Sequence, residues 1–457
     1  MSILLTHGYF LEEDPIEKKI MRPYPPLGIL YLSAYLNDKG VQHKVLDTTF
    51  SSEAAWKKEV LASKPKVIAF YVNLMTKVKI IQLIQFIKAE ADLRDTKIVL
   101  GGPDITYNKA NYLKAGGDYL IIGEGEETFF ELTAALLNDE PTNEITGLVY
   151  MDGEEMKTNP PRQKVKDLDE LPLPNRAAFP IAKYLETWKS AHGKSALNVS
   201  TQRGCPYTCK WCSTAVYGQS YRRRSPKKVV EELSILMETY QPDTFWFVDD
   251  VFTVSHKWMR GFAEEIQKTG LKIQYECITR AERMNEEIIG ILKDTGCVRV
   301  WIGAESGSQK VIDAMDRRVD VNLVCDQLIA TREAGIETGT FIMVGYPGEE
   351  YEDILKTAAY LEKALPDQFT ITKSYPIKGT ALYTEIEASI TEQPNWFTST
   401  DRQIDFKRRY SDRFYTYAVR YIYNRVRLKR EEKANKKRLK TILKVRLSGL
   451  MLKLLAR

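Results

Sequence analysis

The chain contains the stretch Arg203-Gly204-Cys205-Pro206-Tyr207-Thr208-Cys209-Lys210-Trp211-Cys212, in which three cysteines follow a Cys-x3-Cys-x2-Cys spacing. Three thiolates can bind three irons of a four-iron four-sulfur cluster and leave the fourth iron open to another ligand. A structural zinc site is the main alternative, but zinc in such sites normally has four protein ligands, and His192 and His256 lie at no zinc-finger spacing from the cysteines. The spacing therefore predicts a cluster with one iron available for chemistry.

Composition indicates a large folded protein. The chain has 457 residues, of which 44% are hydrophobic, and this length predicts two or three domains. No apolar run approaches the roughly 20 residues of a membrane-spanning helix, and the first residues lack the pattern of a signal peptide. Because thiolates clustered on one loop need a reducing compartment, we expect a cytoplasmic, oxygen-sensitive protein.

The first 140 residues alternate short apolar runs with helical patterns, which predicts an α/β domain with a parallel sheet. The predicted strands span residues 3–6, 43–47, 66–72, 97–101 and 119–122. The predicted helices span residues 27–37, 52–63, 77–91 and 126–138.

A ligand of such a sheet binds beyond the carboxyl ends of the strands. Glycines in the loops there let the backbone approach a large ligand closely. The loops expected to gather at this edge are residues 8–26, 47–50 and 71–75, Gly101-Gly102-Pro103-Asp104 and Gly123-Glu124-Gly125-Glu126-Glu127. A dinucleotide is disfavoured, because the loop after the first strand has no glycine fingerprint.

Residues 141–195 are predicted to connect two domains, because a hairpin pattern around Asp152-Gly153 is followed by prolines that helices and sheet interiors do not accept. From residue 196 to residue 385 the alternation resumes, with a helical pattern after each of the first five strands. The predicted strands span residues 197–201, 244–248, 273–279, 298–303, 338–344 and 369–374. Six such units predict a partial (β/α)6 TIM-type barrel with the cysteine loop after its first strand, at the end where barrel enzymes place their active sites.

Two polar segments of the barrel region are ambiguous. Asp249 and Asp250 end the second predicted strand, and they can either face the active site or cap a helix that begins near Ser255. The stretch 221–226, which contains three consecutive arginines, can cap a helix or contact a cofactor.

The cysteine spacing, with the aromatic Trp211 directly before the last cysteine, resembles the radical S-adenosylmethionine (SAM) superfamily over about residues 196–385. The resemblance implies that the open iron binds the amino and carboxylate groups of SAM. It also implies that one electron from the cluster, supplied by an external flavodoxin- or ferredoxin-type donor, cleaves SAM to a 5'-deoxyadenosyl radical that abstracts a hydrogen atom.

Other barrel segments resemble SAM-binding segments of this superfamily. Glu305 lies in a segment similar to one that binds the polar groups of SAM, where a carboxylate suits the ammonium and the hydroxyl of Ser306 suits a ribose. Residues 339–349 resemble a fifth-strand motif that packs on the adenine. The predicted contacts of SAM are Trp211, Asp249, Glu305, Ser306 and Gly345.

The first domain resembles the cobalamin-binding domain that precedes many radical SAM enzymes, which implies a Rossmann-like fold for residues 1–140. The resemblance rests on residues 25–36 and on two loops, and the predicted cobalamin contacts in these loops are Gly101, Gly102, Pro103, Gly123 and Gly125. None of the four histidines has the Asp-x-His-x-x-Gly context, so cobalamin would bind without a histidine from that motif. A degenerate domain that only packs on the barrel is the alternative.

This domain combination is typical of cobalamin-dependent radical SAM enzymes, and the resemblance implies two possible reactions. The first is methylation of an unactivated carbon in a hydrophobic or natural-product-like small molecule. The second is ring formation or rearrangement on a tetrapyrrole or a lipid, as in anaerobic magnesium-protoporphyrin monomethyl ester cyclase. Methylthiolation of transfer RNA is disfavoured, because no cysteine precedes Cys205 to hold a second cluster, and we do not expect a nucleic-acid substrate.

The C-terminal region, residues 386–457, is expected to be helical and basic. Residues 405–457 hold 18 Lys and Arg against 4 Asp and Glu, a balance of +14, whereas residues 1–404 carry −9. Apolar residues recur there at helical spacing, although Arg446 interrupts them, and they are Leu439, Ile442, Leu443, Leu447, Leu450, Met451, Leu454 and Leu455. The pattern predicts either a peripheral contact with the anionic inner membrane surface or packing on the barrel or a second subunit, with RNA binding as a third alternative.

Overall fold

The computed structural model describes residues 2–214 and 216–457. The chain divides into two compact units. The first contains Met1–Pro206, Ser213–Thr244 and Pro394–Gln403, and the second contains Tyr207–Cys212, Phe245–Gln393 and Ile404–Arg457. Cys205 therefore belongs to the first unit, whereas the other two cysteines of the loop belong to the second.

Within the residues that the structure describes, the first unit is built on a seven-stranded sheet. Its strands are β1 (Ile3–His7), β2 (Lys44–Leu46), β3 (Val67–Tyr71), β4 (Lys97–Gly101), β5 (Tyr119–Ile121), β6 (Leu148–Asp152) and β7 (Glu155–Thr158). They lie in the order β2-β1-β3-β4-β5-β6-β7, with β1 to β5 parallel and β6 and β7 antiparallel. All residues of β1 are buried, as expected for an apolar strand of a parallel sheet.

Helices follow most of these strands. The helices of the first unit are α1 (Pro15–Ile20), α2 (Leu27–Asp38), α3 (Glu53–Ser63), α4 (Lys77–Ala89), α5 (Lys109–Lys114), α6 (Glu126–Leu137), α7 (Ile181–His192) and α8 (Pro226–Tyr240), and its short strands are β8 (Ala196–Val199), β9 (Gln202–Arg203) and β10 (Arg222–Arg223). The five strands and four helices predicted within the first 140 residues are confirmed, each within two residues of its expected ends.

Residues 141–195 are more ordered than the predicted connector. The predicted hairpin, β6 and β7, extends the first sheet, because β6 pairs antiparallel with β5 and so covers an edge that would otherwise be open. Helix α7 follows, and it buries Ile181, Tyr184, Leu185 and Trp188. These residues recur at i, i+3, i+4 and i+7, so the sequence did contain the signal of a helix. Helix α1 likewise lies within the predicted loop 8–26.

The second unit contains a run of parallel strands in chain order. Its strands are β11 (Thr244–Phe247), β12 (Tyr275–Thr279), β13 (Cys297–Glu305), β14 (Glu337–Val344) and β15 (Gln368–Lys373), and the helices between them are α9 (His256–Thr269), α10 (Glu286–Asp294), α11 (Gln309–Ala314), α12 (Val321–Glu333) and α13 (Tyr351–Ala364). Each strand pairs parallel with the next. Together with β8 these are the six predicted strands, and the alternation of strand and helix confirms the predicted partial barrel.

The C-terminal residues contribute to both units. The remaining elements are α14 (Ala381–Ile386), β16 (Ile390–Glu392), β17 (Asp405–Phe406), α15 (Asp412–Lys433) and α16 (Leu439–Leu455). Residues 394–403 belong to the first unit, where Trp396 and Phe397 pack against the core. Among the described residues, no helix is long and apolar enough to cross a membrane.

Gly339 of β14 tests the packing of the barrel strands. A Cβ atom at this position would lie 2.4 Å from the indole ring of Trp301, so we expect Gly339→Ala to lower the free energy of unfolding by about 1–3 kcal/mol through overpacking. Gly290→Ala is the matched control, because a Cβ there meets nothing within 4 Å and alanine favours helix α10. Denaturant unfolding monitored by circular dichroism should rank the variants in this order, and equal stability would contradict the packing.

Candidate active site

The cysteine loop of the second unit is held by its backbone. The N–H of Lys210 donates to the carbonyl of Met315 at 3.1 Å, and the carbonyl of Lys210 accepts from the N–H of Leu382 at 2.9 Å. The hydroxyl of Thr208 donates to a carboxylate oxygen of Asp316 at 2.8 Å. The loop lacks a helix or strand of its own, so these contacts with later segments fix its position.

Two of the three predicted cluster ligands lie together. The N–H of Cys212 donates to the carbonyl of Cys209 at 3.1 Å, and the two side chains share a hydrogen bond. That hydrogen bond, with the positive charges of Arg280 and Arg317, lowers the pKa of Cys209 to about 6, whereas the same bond raises the pKa of Cys212. The loop therefore presents a thiolate at Cys209 near neutral pH.

Arg280 is the main cation beside this thiolate. It directly follows β12, is 5% exposed, and its Nη1 atom lies 3.3 Å from the Sγ atom of Cys209. Its guanidinium also stacks 3.9 Å from the ring centroid of Tyr207 and donates to the carbonyl of Arg317 and to Glu282. The sequence analysis missed Arg280, although its position at the carboxyl end of a barrel strand was a usable signal.

Cys205 lies in the first unit, half-buried, and none of the six cysteines forms a disulfide within the described residues. Gly204, which precedes it, has φ +85°, and a Cβ atom there would lie 2.3 Å from the carbonyl oxygen of Ser220. Within the described part of the chain, no group of three or more His, Cys, Asp or Glu side chains is arranged to hold a metal. The chemistry of three reduced thiols fits a cluster, but joint ligation by all three stays a prediction.

Asp249 is buried, with 2% exposure, two residues after the end of β11. The cap of the following helix is Ser255, whose hydroxyl accepts from the N–H of Trp258 at 3.2 Å. The structure thus gives the capping role to Ser255, which leaves Asp249 as a candidate for the site. Trp211 is half-buried on the cysteine loop, and its contact with SAM stays a prediction.

Glu305 ends β13 with an unusual backbone. Its φ is +64°, and the register between β13 and β14 shifts between Gly303 and Glu305. Withdrawal from bulk water raises the pKa of Glu305 to about 7, against the lowering effect of Arg317. Strained non-glycine residues of this kind cluster at functional sites, which supports the prediction for Glu305.

Ser306 is placed differently from Glu305. It is 1% exposed, its hydroxyl lies 3.2 Å from the hydroxyl of Thr357, and it accepts from the N–H of Ser308 at 3.1 Å. Its hydroxyl therefore joins β13 to helix α13, and its contact with a ribose stays a prediction.

Gly345 lies just after β14. Its N–H donates to the carboxylate of Glu349 at 2.6 Å, and burial raises the pKa of Glu349 to about 8. Glu349 is 1% exposed and lies in the segment predicted to pack on the adenine. Because its pKa is about 8, its side chain is a neutral carboxylic acid at pH 7.

The glycine loops of the first unit follow β4 and β5. Gly102 has φ +121°, and a Cβ atom there would lie 2.2 Å from the carbonyl oxygen of Val72, so only glycine fits. A Cβ atom at Gly101 would meet nothing within 4 Å, which leaves open space beside the loop. This bare backbone suits the close approach of a large ligand such as cobalamin. Pro103 begins the turn that follows.

Helix α7 covers the loops after β1 and β2. The hydroxyl of Tyr184 donates to Asp47 at 2.9 Å, and Asp47 also lies 2.9 Å from the imidazole of His7. In the predicted ligand loop 47–50, the carboxylate of Asp47 is thus bonded to other side chains of the protein. The glycine loops after β4 and β5 keep the predicted cobalamin contacts, and the roles of Gly101, Gly102, Pro103, Gly123 and Gly125 stay predictions.

A buried ion-pair network joins the loop after β5 to the strand before the cysteines. Arg203, which is 6% exposed, donates to Glu126 and lies 3.6 Å from Glu124. Burial alone would raise the pKa of Glu126, but Arg203 outweighs it and holds the pKa below its ordinary value. Arg222 of the ambiguous segment 221–226 also pairs with Glu124. The sequence analysis missed this network.

Two family models match the chain. Residues 199–361 match the radical SAM superfamily, and residues 18–133 match the B12 binding domain.

Several curated proteins are similar along most of the chain. An uncharacterized methyltransferase of Pyrococcus horikoshii is 29% identical over 86% of this chain and 86% of its own length. The anaerobic magnesium-protoporphyrin IX monomethyl ester cyclase of Rubrivivax gelatinosus is 24% identical over 79% of this chain and 66% of its own length. The hopanoid C-3 methylase of Methylococcus capsulatus is 25% identical over 79% of this chain and 68% of its own length.

A solved structure shares the fold. The cobalamin-dependent S-adenosylmethionine radical enzyme OxsB with aqua-cobalamin bound matches with a TM-score of 0.78 and 16% identity, over 100% of this chain and 77% of the OxsB chain.

The family model over residues 199–361 defines the class: the chain is a radical SAM enzyme. Within that class it belongs to the family in which a B12-binding domain precedes the radical SAM domain. The radical SAM domain implies a four-iron four-sulfur cluster and SAM, and the B12-binding domain supports cobalamin as a further cofactor.

Arg280→Gln should weaken retention of the cluster, because it removes the buried charge beside Cys209 and the stacking on Tyr207. We expect at least a roughly fivefold loss of iron and sulfide per chain after anaerobic reconstitution, the effect of about 1 kcal/mol in binding. Arg260→Gln is the control, since Arg260 pairs with Glu287 on the surface, where it is 52% exposed. Equal iron in both variants would contradict this role of Arg280.

Glu349 should make stability depend on pH. Its pKa rises from 4.5 to about 8 on folding, so the folded chain keeps a proton that the unfolded chain releases between these values. The free energy of unfolding should therefore fall as pH rises from about 5 to 8, by an amount on the order of a few kcal/mol. Glu349→Gln should flatten this slope in unfolding curves measured across the range. Glu352→Gln, a change at an exposed neighbour, should keep it.

Proposed function

We propose that this chain is a cobalamin-dependent radical SAM methyltransferase that methylates an unactivated carbon of a hydrophobic small molecule. The observation that carries the proposal is the cysteine loop, fixed at the carboxyl ends of the barrel strands with a thiolate beside Arg280, in a chain that also has a B12-binding domain. An external one-electron donor of the flavodoxin or ferredoxin type would supply the electron.

We assign residues to each cofactor as the family resemblance implies. The cluster would be held by Cys205, Cys209 and Cys212, SAM would be contacted by Trp211, Asp249, Glu305, Ser306 and Gly345, and cobalamin would be contacted by Gly101, Gly102, Pro103, Gly123 and Gly125. When bound, these groups supply a hydrogen-abstracting radical and a transferable methyl group.

The side chains of the protein have positioning and electrostatic roles. Arg280 holds the thiolate of Cys209 and the ring of Tyr207 in one place, which reduces the cost of gathering negative charge on the loop. Glu305, with its pKa near 7, can accept a hydrogen bond from an ammonium group once ionised. Arg203 ties the strand that leads to Cys205 to the loop that contains Gly125, through its pair with Glu126.

The substrate class rests on the similar proteins. The similarity to an uncharacterized methyltransferase favours methylation, and the similarity to two hopanoid methylases favours an apolar molecule as the substrate. Ring formation on a tetrapyrrole or a lipid is the second candidate, supported by the similarity to the cyclase over 79% of this chain. A transfer-RNA substrate remains disfavoured, because no cysteine precedes Cys205.

Cofactor content and SAM cleavage provide the first test. The anaerobically reconstituted chain should contain about four irons and stoichiometric cobalt and should release 5'-deoxyadenosine when reduced with dithionite. Cys209→Ala should lose the iron and lower 5'-deoxyadenosine formation by at least about a hundredfold, because an incomplete ligand set does not hold the cluster. Cys325→Ala, which changes a buried cysteine of α12, should retain both properties.

SAM labelled with deuterium in its methyl group distinguishes the two reactions. Incubation with hopanoids, prenyl lipids and tetrapyrrole esters, followed by mass spectrometry, should give a product that carries the labelled methyl group on carbon. A product with hydrogen removed and no label would instead favour ring formation. An iron-loaded chain without bound cobalamin would contradict the methyltransferase proposal altogether.

A further inference from the structure

The last helix, α16, packs against α15 through its small residues. Thr441, Ser448 and Leu452 are buried, and a Cβ atom at Gly449 would lie 3.2 Å from the ring of Tyr421 in α15. These residues share one face of the helix at the period of 3.6 residues per turn.

Helix α15 is itself fixed to the barrel region. The guanidinium of Arg425 donates to both carboxylate oxygens of Glu362 in α13 at 2.5 Å, and Arg430 donates to the carbonyl of Asp367 at 2.9 Å. Helix α16 therefore packs on a helix that is itself bonded to the barrel region. The orientation of its opposite face within the second unit is fixed as a result.

That opposite face is a row of exposed leucines. Successive members are separated by four, four, three and four residues, which places them within about 80° of one another around the helix. Their exposures are Leu439 84%, Leu443 67%, Leu447 58%, Leu450 56% and Leu454 51%. We call these five residues the leucine row. The predicted apolar stripe of α16 is therefore divided: Ile442, Met451 and Leu455 are half-buried, whereas the five residues of the leucine row are more than half exposed.

Cations border the leucine row on both sides. At 100° per residue, Lys440 and Lys444 follow the row on one side and Arg446 and Lys453 on the other, and all four are exposed. Arg446 therefore flanks the row and does not interrupt it. Residues 433–457 contain nine Lys and Arg and no Asp or Glu.

We propose that the leucine row docks on the surface of an anionic lipid membrane, with α16 lying in the plane of the interface. A helix of 17 residues, about 26 Å long, that has an apolar face between two rows of cations fits this binding mode, since leucines enter the acyl boundary and the cations meet anionic headgroups. The proposal does not depend on the reaction that the barrel catalyses.

Charge favours lipid over another protein copy. Pairing two leucine rows would bring the bordering cations of both copies together, and these cations have no acidic residues on α16 to balance them. An RNA partner would satisfy the cations but would leave the leucines in water.

Liposome flotation of the full-length, anaerobically purified chain tests the proposal. The protein should float with vesicles of phosphatidylcholine and phosphatidylglycerol and much less with pure phosphatidylcholine. Leu443→Ser, Leu447→Ser and Leu450→Ser, combined in one variant, should lower the partition coefficient by at least about tenfold, because these leucines supply the buried area. The packed face is unchanged, so the thermal midpoint should also be unchanged.

The matched control removes three exposed isoleucines elsewhere, Ile16→Ser, Ile20→Ser and Ile235→Ser, and should float like the unmodified chain. A second variant with Lys440, Lys444, Arg446 and Lys453 changed to Gln should lose the preference for anionic vesicles. The proposal is overturned if the unmodified chain does not float, or if the leucine variant floats equally well. It is also overturned if light scattering finds a dimer that the leucine variant separates, since the leucine row would then bind a second copy.

Discussion

The cysteine loop depends on contacts outside itself, because it contains neither a helix nor a strand. Thiolates gathered on a short loop repel one another away from water, so the loop needs both a fixed backbone and nearby positive charge. Hydrogen bonds of Lys210 with Met315 and Leu382 fix the backbone, and Arg280 supplies the charge. Arg280 directly follows β12, and Met315 directly follows α11, the helix after β13. The charge and the backbone contact at Cys209 therefore depend on the parallel strands, which place both residues near the carboxyl end of the sheet.

Local patterns were sufficient to predict most of the fold. Apolar runs separated by helical patterns predicted the strands of both units, because a buried parallel strand has a continuous apolar sequence whatever its partners. The order of strands and the position of the hairpin depend on pairing between distant residues. For that reason β6 was predicted as part of a connector, although it pairs with β5, and residues 394–403 gave no sign that Trp396 would pack on the first unit.

The candidate site was predictable only in part, for a related reason. Cysteine spacing is local information, so the sequence could predict Cys209 and Cys212 as neighbours on one loop, and the structure places their side chains within hydrogen-bond distance. Arg280 and Arg203 act through contacts with residues about 70 positions away, and such contacts follow from the fold. Ser306 illustrates the reverse case: its residue type suits a ribose, but its hydroxyl also bonds Thr357 and Ser308, so residue type alone does not fix its contact with SAM. Residue type defines what a side chain can bind, whereas burial and hydrogen bonding decide whether it remains available.

Helix α16 shows that residue type and actual burial also differ in an apolar stripe. Its sequence has apolar residues on more than one face, so periodicity alone did not tell which face would pack. Gly449 lets the two helices approach, since a Cβ atom there would lie 3.2 Å from the ring of Tyr421, and Thr441 and Ser448 are buried on the packed side. This choice leaves the larger leucines 51–84% exposed, and each forgoes roughly 1–2 kcal/mol of burial. The leucine row remains exposed within the folded unit, and only cations border it. An anionic lipid surface is the environment that buries the leucines and pairs the cations.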